Sequence, residues 1–144
     1  MTDNPLRLME TLNMHRQNVS MITFSFDIET NIRTATYTGI ITDGELITAY
    51  RELHAKPDYN PTADDLVDLR LVDQLNVSSQ SLHHLISTYI PVDVRGRYTR
   101  LAIIAASDFT FGMSRLYETL RGDEVPEVIH IFRHYDDAIL WLQS

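Results

Sequence analysis

The sequence predicts an α/β fold: a mixed, mostly parallel sheet of about five strands with helices on its faces. From residue 21 onward, short apolar segments rich in β-branched residues alternate with longer amphipathic segments, a pattern typical of strand–helix–strand units. The first two apolar segments, 21–28 and 32–39, are joined only by Glu29-Thr30-Asn31. A link this short requires an antiparallel hairpin, so a hairpin should open the sheet.

The hairpin and the first helix have clear boundaries. Residues 21–28 alternate apolar and polar side chains, as a half-buried strand does. Thr42 and Glu45 have the spacing of a capping box, with Thr42 as the N-cap and Glu45 at the third helical position. We expect this helix to end before Pro57.

The next segment, residues 64–86, is the centre of the predicted sheet. Leu66, Val67 and Leu69 predict a short strand that ends at residues 68–70, and residues 73–77 are expected to form a polar loop. A helix should follow, closed by Pro91.

Ser78 and Ser79 lie immediately before that helix. Their hydroxyls are therefore expected at the carboxyl end of the strand, where ligands gather in open α/β sheets. A helix N-terminus also favours an anion, because its free N–H groups point outward. The two serines are thus candidates for a phosphorylation site, and a plain N-cap is the alternative.

The C-terminal half continues the same alternation. Residues 101–105 form an unbroken apolar run, which is typical of a parallel strand covered on both faces. Ser107 and Asp108 can cap the next helix, and Gly122 stands where its C-cap belongs. A last strand over 125–132 and a final helix beginning at 136–137 complete the chain. The inner face of the third helix is expected to comprise Phe109, Gly112, Met113, Leu116 and Leu120, with Tyr117 beside it.

Length and composition favour one domain over residues 21–144 of the 144-residue chain. Residues 1–20 have only a weak helical rhythm. They are interpreted either as an extension upstream of a natural start at Met21 or as a short amphipathic helix that packs on the domain or a second subunit.

The net charge of −8 disfavours nucleic acid and anionic membrane surfaces as partners. The absence of cysteine suits a cytoplasmic protein and excludes disulfides and thiolate chemistry. No apolar run approaches the roughly 18 residues of a membrane span.

Three stretches resemble the STAS domains, the group of the sporulation regulator SpoIIAA, and more closely the uncharacterised bacterial SpoIIAA-like proteins grouped with the CRAL-TRIO lipid-binding domains. They are LVDLRLVDQLNVSSQSLHHL at 66–85, AIIAASDFTFGMSRLYETL at 102–120 and VIHIFRHYDDAILWL at 128–142. The resemblance implies a SpoIIAA-like fold. It also implies a phosphorylated serine at the position of Ser79, although Val77 and Gln80 replace the aspartate and glycine of the STAS motif.

The remaining polar residues have competing interpretations. Asp64, Asp65, Asp68 and Asp73 are candidates for a Mg²⁺ site, or for ordinary surface pairs such as Asp68 with Arg70. Three arginines, at 95, 97 and 100, are candidates for anion binding or for a solvated loop. The histidines His54, His83, His84, His130 and His134 lack metal-ligand spacing and are expected to be surface or hydrogen-bonded residues.

We therefore expect no catalytic residue, metal or cofactor. The first hypothesis is a non-enzymatic regulatory or interaction module, a homodimer with an unknown protein partner. The alternative is a carrier of a lipid or small apolar ligand in a cavity between sheet and helices. An enzyme is the weaker third hypothesis. The expected interaction or ligand surface comprises Asp68, Arg70, Ser107, Asp108, Phe109, Phe111 and Met113, with Phe111 off the inner helix face.

Overall fold

The computed structural model of the protein describes residues 19–93, 99–122 and 127–144. Its strands are β1 (Met21–Asp27), β2 (Ile32–Thr42), β3 (Asp64–Asn76), β4 (Arg100–Ile104) and β5 (Val128–Phe132). Its helices are α1 (Asp43–Ala55), α2 (Ser79–Asp93), α3 (Asp108–Arg121) and α4 (Tyr135–Leu142). Residues 1–18 lie outside the described residues. Both interpretations of the N-terminal segment mainly concern these residues.

The strands form one five-stranded sheet in chain order, β1-β2-β3-β4-β5. β1 pairs with β2 antiparallel, and every later pair is parallel. The hairpin turn is closed by Asn31, whose backbone adopts a left-handed φ of 58° and whose amide bonds to the carbonyl oxygen of Asp27 at 2.8 Å. Asparagine tolerates that conformation better than most residues do. The predicted mixed, mostly parallel sheet opened by a hairpin is confirmed.

The sheet separates two apolar layers. Leu46 of α1, Leu82 of α2 and partly buried Met113 of α3 belong to the larger layer, into which Leu101 and Ile103 point. Ala102 and Ile104 point to the opposite face, where α4 packs with Ala138 and Leu142. Both faces of β4 are therefore covered, which explains its unbroken run of apolar residues.

The central strand is longer than predicted. β3 continues to Asn76, and its last residues pair with β2, with Gln74 opposite Ile40 and Leu75 opposite Ile41. The expected polar loop over 73–77 is wrong for residues 73–76, which belong to β3 and lie along β2, with the polar side chains of Asp73, Gln74 and Asn76 exposed; Val77 alone lies after the strand. The helix after it also passes Pro91 and ends at Asp93. Pro91 lies in the last turn of this helix, and only two residues follow it.

The inner face predicted for α3 is displaced. Phe109 is 57% exposed and Leu116 37% exposed, while Thr110 and Ser114 are buried. The Ser114 hydroxyl donates to the carbonyl oxygen of Thr110 at 2.7 Å, so this small polar residue is buried with its hydrogen bond satisfied. Gly112 is exposed and the expectation for Phe111 is reversed, since Phe111 packs against the core. Of the predicted set, Met113, Leu120 and the adjoining Tyr117 do pack against the core.

Candidate functional site

The carboxyl ends of the strands carry most of the predicted site residues. Ser78 is the N-cap of α2, because its hydroxyl oxygen accepts a hydrogen bond from the Ser81 amide at 3.1 Å. The Ser78 amide donates to a carboxylate oxygen of Asp43 at 2.7 Å. This hydrogen bond lowers the pKa of Asp43 below its usual value. Ser79 is the first residue of α2 and is exposed.

The contact between Asp43 and Ser78 joins the first turns of α1 and α2. The Asp43 carboxylate occupies the Ser78 amide, which is one of the groups that would bind an anion at this helix N-terminus. A phosphate on Ser78 would therefore lie beside a negative charge. Sequence reasoning missed Asp43, although an acid in the first turn of the preceding helix was visible in the capping-box segment.

Asp68 and Arg70 form a compact pair at the same edge. One Asp68 carboxylate oxygen accepts from the Arg70 amide and Nε, both at 3.0 Å, and the other accepts from Nη2 at 2.8 Å. Burial alone would raise the pKa of Asp68, but these hydrogen bonds outweigh burial and lower it. The Arg70 guanidinium also lies 4.9 Å from the centre of the Tyr135 ring.

Three of the four aspartates of the alternative Mg²⁺ site have different partners, and the fourth, Asp73, is exposed on β3. Asp64 accepts from the Arg100 amide at 2.9 Å, Asp65 pairs with Arg33 at 2.8 Å, and Asp68 binds Arg70. Within the residues that the structure describes, no group of three or more histidine, aspartate or glutamate side chains is placed to hold a metal ion.

β3 exposes an edge beyond β4. The pairing of β3 with β4 stops at Asp68 and Ile104, whereas its pairing with β2 continues to Asn76. Leu71 lies on this extension and is 61% exposed. Over 69–76, β3 therefore has a strand partner on one side only within the described part of the chain.

The start of α3 contributes a second set of residues at this edge. The Ser107 hydroxyl accepts from the Thr110 amide at 3.1 Å and caps the helix. Arg133, which directly follows β5, pairs with Asp108 at 3.0 Å, and its guanidinium lies 4.3 Å from the centre of the Phe111 ring. Phe109, unlike Phe111, remains exposed. Sequence reasoning missed Arg133. Its position directly after the last strand could have placed it at the carboxyl edge of the sheet.

Met113 belongs to a different place, a cavity between the sheet and α1, α2 and α3. The volume of this cavity is about 150 Å³. Half of its lining residues are aliphatic, and they come from both the sheet and the helices, including Val67, Leu69, Leu82, Leu85 and Ile103. The structure therefore divides the predicted surface: Met113 lines the cavity, and the other residues lie at or beside the sheet edge.

Tyrosine hydroxyls are the main neutral polar groups of the cavity. Tyr37 and Tyr50 share a hydrogen bond of 2.7 Å between their hydroxyls. Burial raises the pKa of both groups, so both are neutral phenols at physiological pH. Burial, and then the nearby Glu127, also raises the pKa of Tyr117, which lines the same cavity.

Charged residues of the cavity lining are paired. Arg33 binds Asp65 through two hydrogen bonds of 2.8 and 3.2 Å, and it also donates to the carbonyl oxygen of Asn60. Glu127 lies 3.2 Å from Arg121. Because each of these charges has an opposite charge beside it, the two pairs give the cavity no net charge that would attract an ionic ligand.

Of the histidines singled out in the sequence, two pack against aromatic rings and the others lie on or at the end of helices. The His54 ring lies between Tyr59 and Tyr89, with ring centres 4.3 and 4.1 Å away, and lines the cavity. The His130 ring stacks on Trp141 at 4.6 Å. Exposed His83 and His84 lie on α2, and His134 is at the N-cap position of α4.

Arg100, one of the three arginines considered for anion binding, donates to the Trp141 carbonyl oxygen at 2.6 Å. Arg95 and Arg97 lie outside the described residues.

Comparison with known proteins identifies the fold. No protein-family model matches the sequence, and no curated protein matches it. The structure is similar to that of an uncharacterised Shewanella loihica PV-4 protein of the DUF3478 family, which has a SpoIIAA-like fold. The TM-score is 0.56 at 17% identity, over 87% of this chain and 96% of that one. The chain thus has a SpoIIAA-like fold. No helix in the described ranges is long and apolar enough to cross a membrane.

Proposed function

We propose that the protein is a non-enzymatic regulatory or interaction module that binds a partner protein along the free edge of β3. One observation carries this proposal: β3 extends past its pairing with β4 and presents exposed Leu71 there. An unpaired strand edge offers backbone N–H and C=O groups to an added strand.

The neighbouring side chains suit such an interface. Leu71 and Phe109 supply apolar area that binding would remove from water. Arg70 keeps part of its guanidinium exposed beside Tyr135, and arginine and tyrosine are enriched at protein interfaces. The net charge of −8 favours a partner with basic groups over nucleic acid. We place this function in the cytoplasm, in keeping with a chain that has no cysteine.

We also propose that the protein forms a homodimer in the absence of that partner. The free edge in one copy can then pair with the same edge in a second copy about a two-fold axis, and the partner would replace the second copy at this edge. Phosphorylation at Ser79 would regulate binding by adding negative charge near the first turn of α2, where Asp43 already lies.

Quantitative co-purification from the cells in which the protein naturally occurs tests the docking surface. Leu71→Asp and Phe109→Asp place a charge on the proposed interface and should remove the same specific partner. Leu140→Asp is the matched control, because Leu140 is 73% exposed on α4 and does not belong to this edge. Equal recovery of the partner with all three variants would refute the proposed surface. If Ser79→Asp and Ser79→Ala leave every partner unchanged, the phosphorylation proposal is wrong.

The cavity of about 150 Å³ favours a second candidate function, the binding of a small apolar ligand. The volume is smaller than the few hundred cubic ångströms expected of a pocket for a larger ligand. Direct titration of candidate ligands tests this function.

A further inference from the structure

We infer that the cavity between the sheet and α1–α3 binds a small neutral molecule of the phenol type: one ring-sized apolar body with one hydroxyl or carbonyl group. This inference rests on the second candidate function, ligand binding, and is independent of the docking surface on β3. It specifies the size, the charge and the polar group of the ligand.

The volume sets the size. An engineered protein cavity of about 150 Å³ with an apolar lining stays dry and binds benzene. The present cavity has about the same volume, and leucine, valine, isoleucine and methionine supply eleven of its twenty lining residues. One aromatic ring therefore fits within the cavity, whereas a long acyl chain would extend beyond it.

The charged residues of the lining indicate that the ligand is neutral. The cationic Arg33 is neutralised by Asp65, and Glu127 by Arg121. A charged ligand would enter without an opposing charge, and burying an uncompensated ion is costly. The cavity tyrosines are themselves neutral, so they supply no counter-ion either.

The tyrosine hydroxyls indicate that the ligand carries a hydrogen-bonding group. The mutual bond of Tyr37 and Tyr50 uses one hydroxyl proton, which leaves the second hydroxyl proton of the pair free within the described part of the chain. Tyr117 lines the same cavity and packs against the same core cluster as Tyr37 and Tyr50, so its hydroxyl is a further donor there. A ligand hydroxyl or carbonyl oxygen would accept a hydrogen bond from these donors, whereas a pure hydrocarbon would leave them unpaired.

Isothermal titration calorimetry on the purified full chain tests the inference with four probes: phenol, toluene, benzoate and 1-dodecanol. We expect phenol to bind with one-to-one stoichiometry and more tightly than toluene, benzoate or dodecanol. Tyr117→Phe should weaken phenol binding by about three- to tenfold, the equivalent of one hydrogen bond, and leave toluene binding within about twofold.

A cavity-filling variant supplies an independent check. Val67 lines the cavity from β3, so Val67→Phe should abolish phenol and toluene binding. Leu140→Phe, on the exposed side of α4, should change neither. Circular dichroism verifies that each variant is folded, and Tyr117→Phe keeps the test decisive if Val67→Phe does not fold.

Each other outcome has a defined meaning. If dodecanol binds and phenol does not, the ligand class is wrong while ligand binding itself stands. If none of the four probes binds, both the ligand class and the second candidate function are wrong. If benzoate binds as tightly as phenol, or if Tyr117→Phe weakens phenol and toluene equally, the inference fails on charge or on the hydrogen bond.

Discussion

The hydroxyl pair of Tyr37 and Tyr50 can be tested by a double-mutant cycle. Tyr37 is 6% exposed, and its hydroxyl bonds to that of Tyr50 at 2.7 Å. Tyr50→Phe removes one partner and leaves a buried hydroxyl unsatisfied, which should lower the free energy of unfolding by about 1–3 kcal/mol. The double variant, with both tyrosines replaced by phenylalanine, removes both partners and should cost less than the sum of the two single variants by about 1 kcal/mol or more.

Urea denaturation followed by circular dichroism measures these differences. For a chain of 144 residues, each kcal/mol corresponds to about 3–4 °C in Tm, so Tyr50→Phe should lower the Tm measured by thermal denaturation by about 3–12 °C. Tyr135→Phe is the control, because Tyr135 is 40% exposed and the change should stay within about 0.5 kcal/mol. Additive single-variant costs, or single costs below about 0.5 kcal/mol, would show that the two hydroxyls do not depend on each other.

Three further predictions concern caps, glycines and pH. Ser78→Ala should lower the free energy of unfolding by about 1 kcal/mol, because it removes the N-cap of α2, whereas Ser79→Ala should stay within about 0.5 kcal/mol; urea denaturation compares them. Gly39→Ala should destabilise the fold by about 1–3 kcal/mol, because φ is +73° and the added Cβ would lie 2.5 Å from the Val19 carbonyl oxygen. Gly112→Ala should stabilise it by about 0.5–1 kcal/mol, since no other group lies within 4 Å of the new methyl group; thermal denaturation distinguishes the two, and equal effects would contradict the assigned conformations. Finally, although burial opposes it, the hydrogen bonds from Arg70 lower the pKa of Asp68. The stability that Asp68 contributes is therefore fully present above its unfolded-state pKa of about 3.9 and is lost as pH falls through the lower folded-state value. Urea midpoints between about pH 6 and about pH 2 should fall less steeply for Asp68→Asn than for the wild type, and parallel curves would contradict this assignment.

The fold could be predicted because its signals are local. The link over 29–31 leaves no room for a crossover, and the unbroken apolar run over 101–105 requires cover on both faces. Helix starts at Thr42 and Ser107 also follow from short-range capping, and both are present. These features depend on neighbours in the chain and not on distant packing.

The predictions failed where contacts between residues far apart in the sequence determine the local structure. Residues 73–76 have a loop-like composition, yet pairing with β2 holds them in the strand. The face of α3 that turns inward carries Thr110, Ser114 and Met113, and this orientation leaves Phe109 exposed. A helical pattern with apolar residues on several sides cannot by itself specify which side turns inward.

The candidate sites were predictable in part. The chain order placed Asp68, Ser78 and Ser107 at the carboxyl edge of the sheet because parallel strands end there together. The convergence of Tyr37, Tyr50 and Tyr117 was not visible, since these residues come from three elements and meet only in the folded core. Asp43 and Arg133 were missed for the same reason.

Site-specific photo-crosslinking in the protein's own cells decides whether the free edge of β3 is a docking surface. A photoreactive residue replaces Leu71 in one strain and Leu140, as the control, in another. We predict one discrete crosslinked product from position 71 and none from position 140, and mass spectrometry of that product tells a second copy of this chain from a different protein. The absence of a product at position 71, or the same products from both positions, would contradict the proposed function.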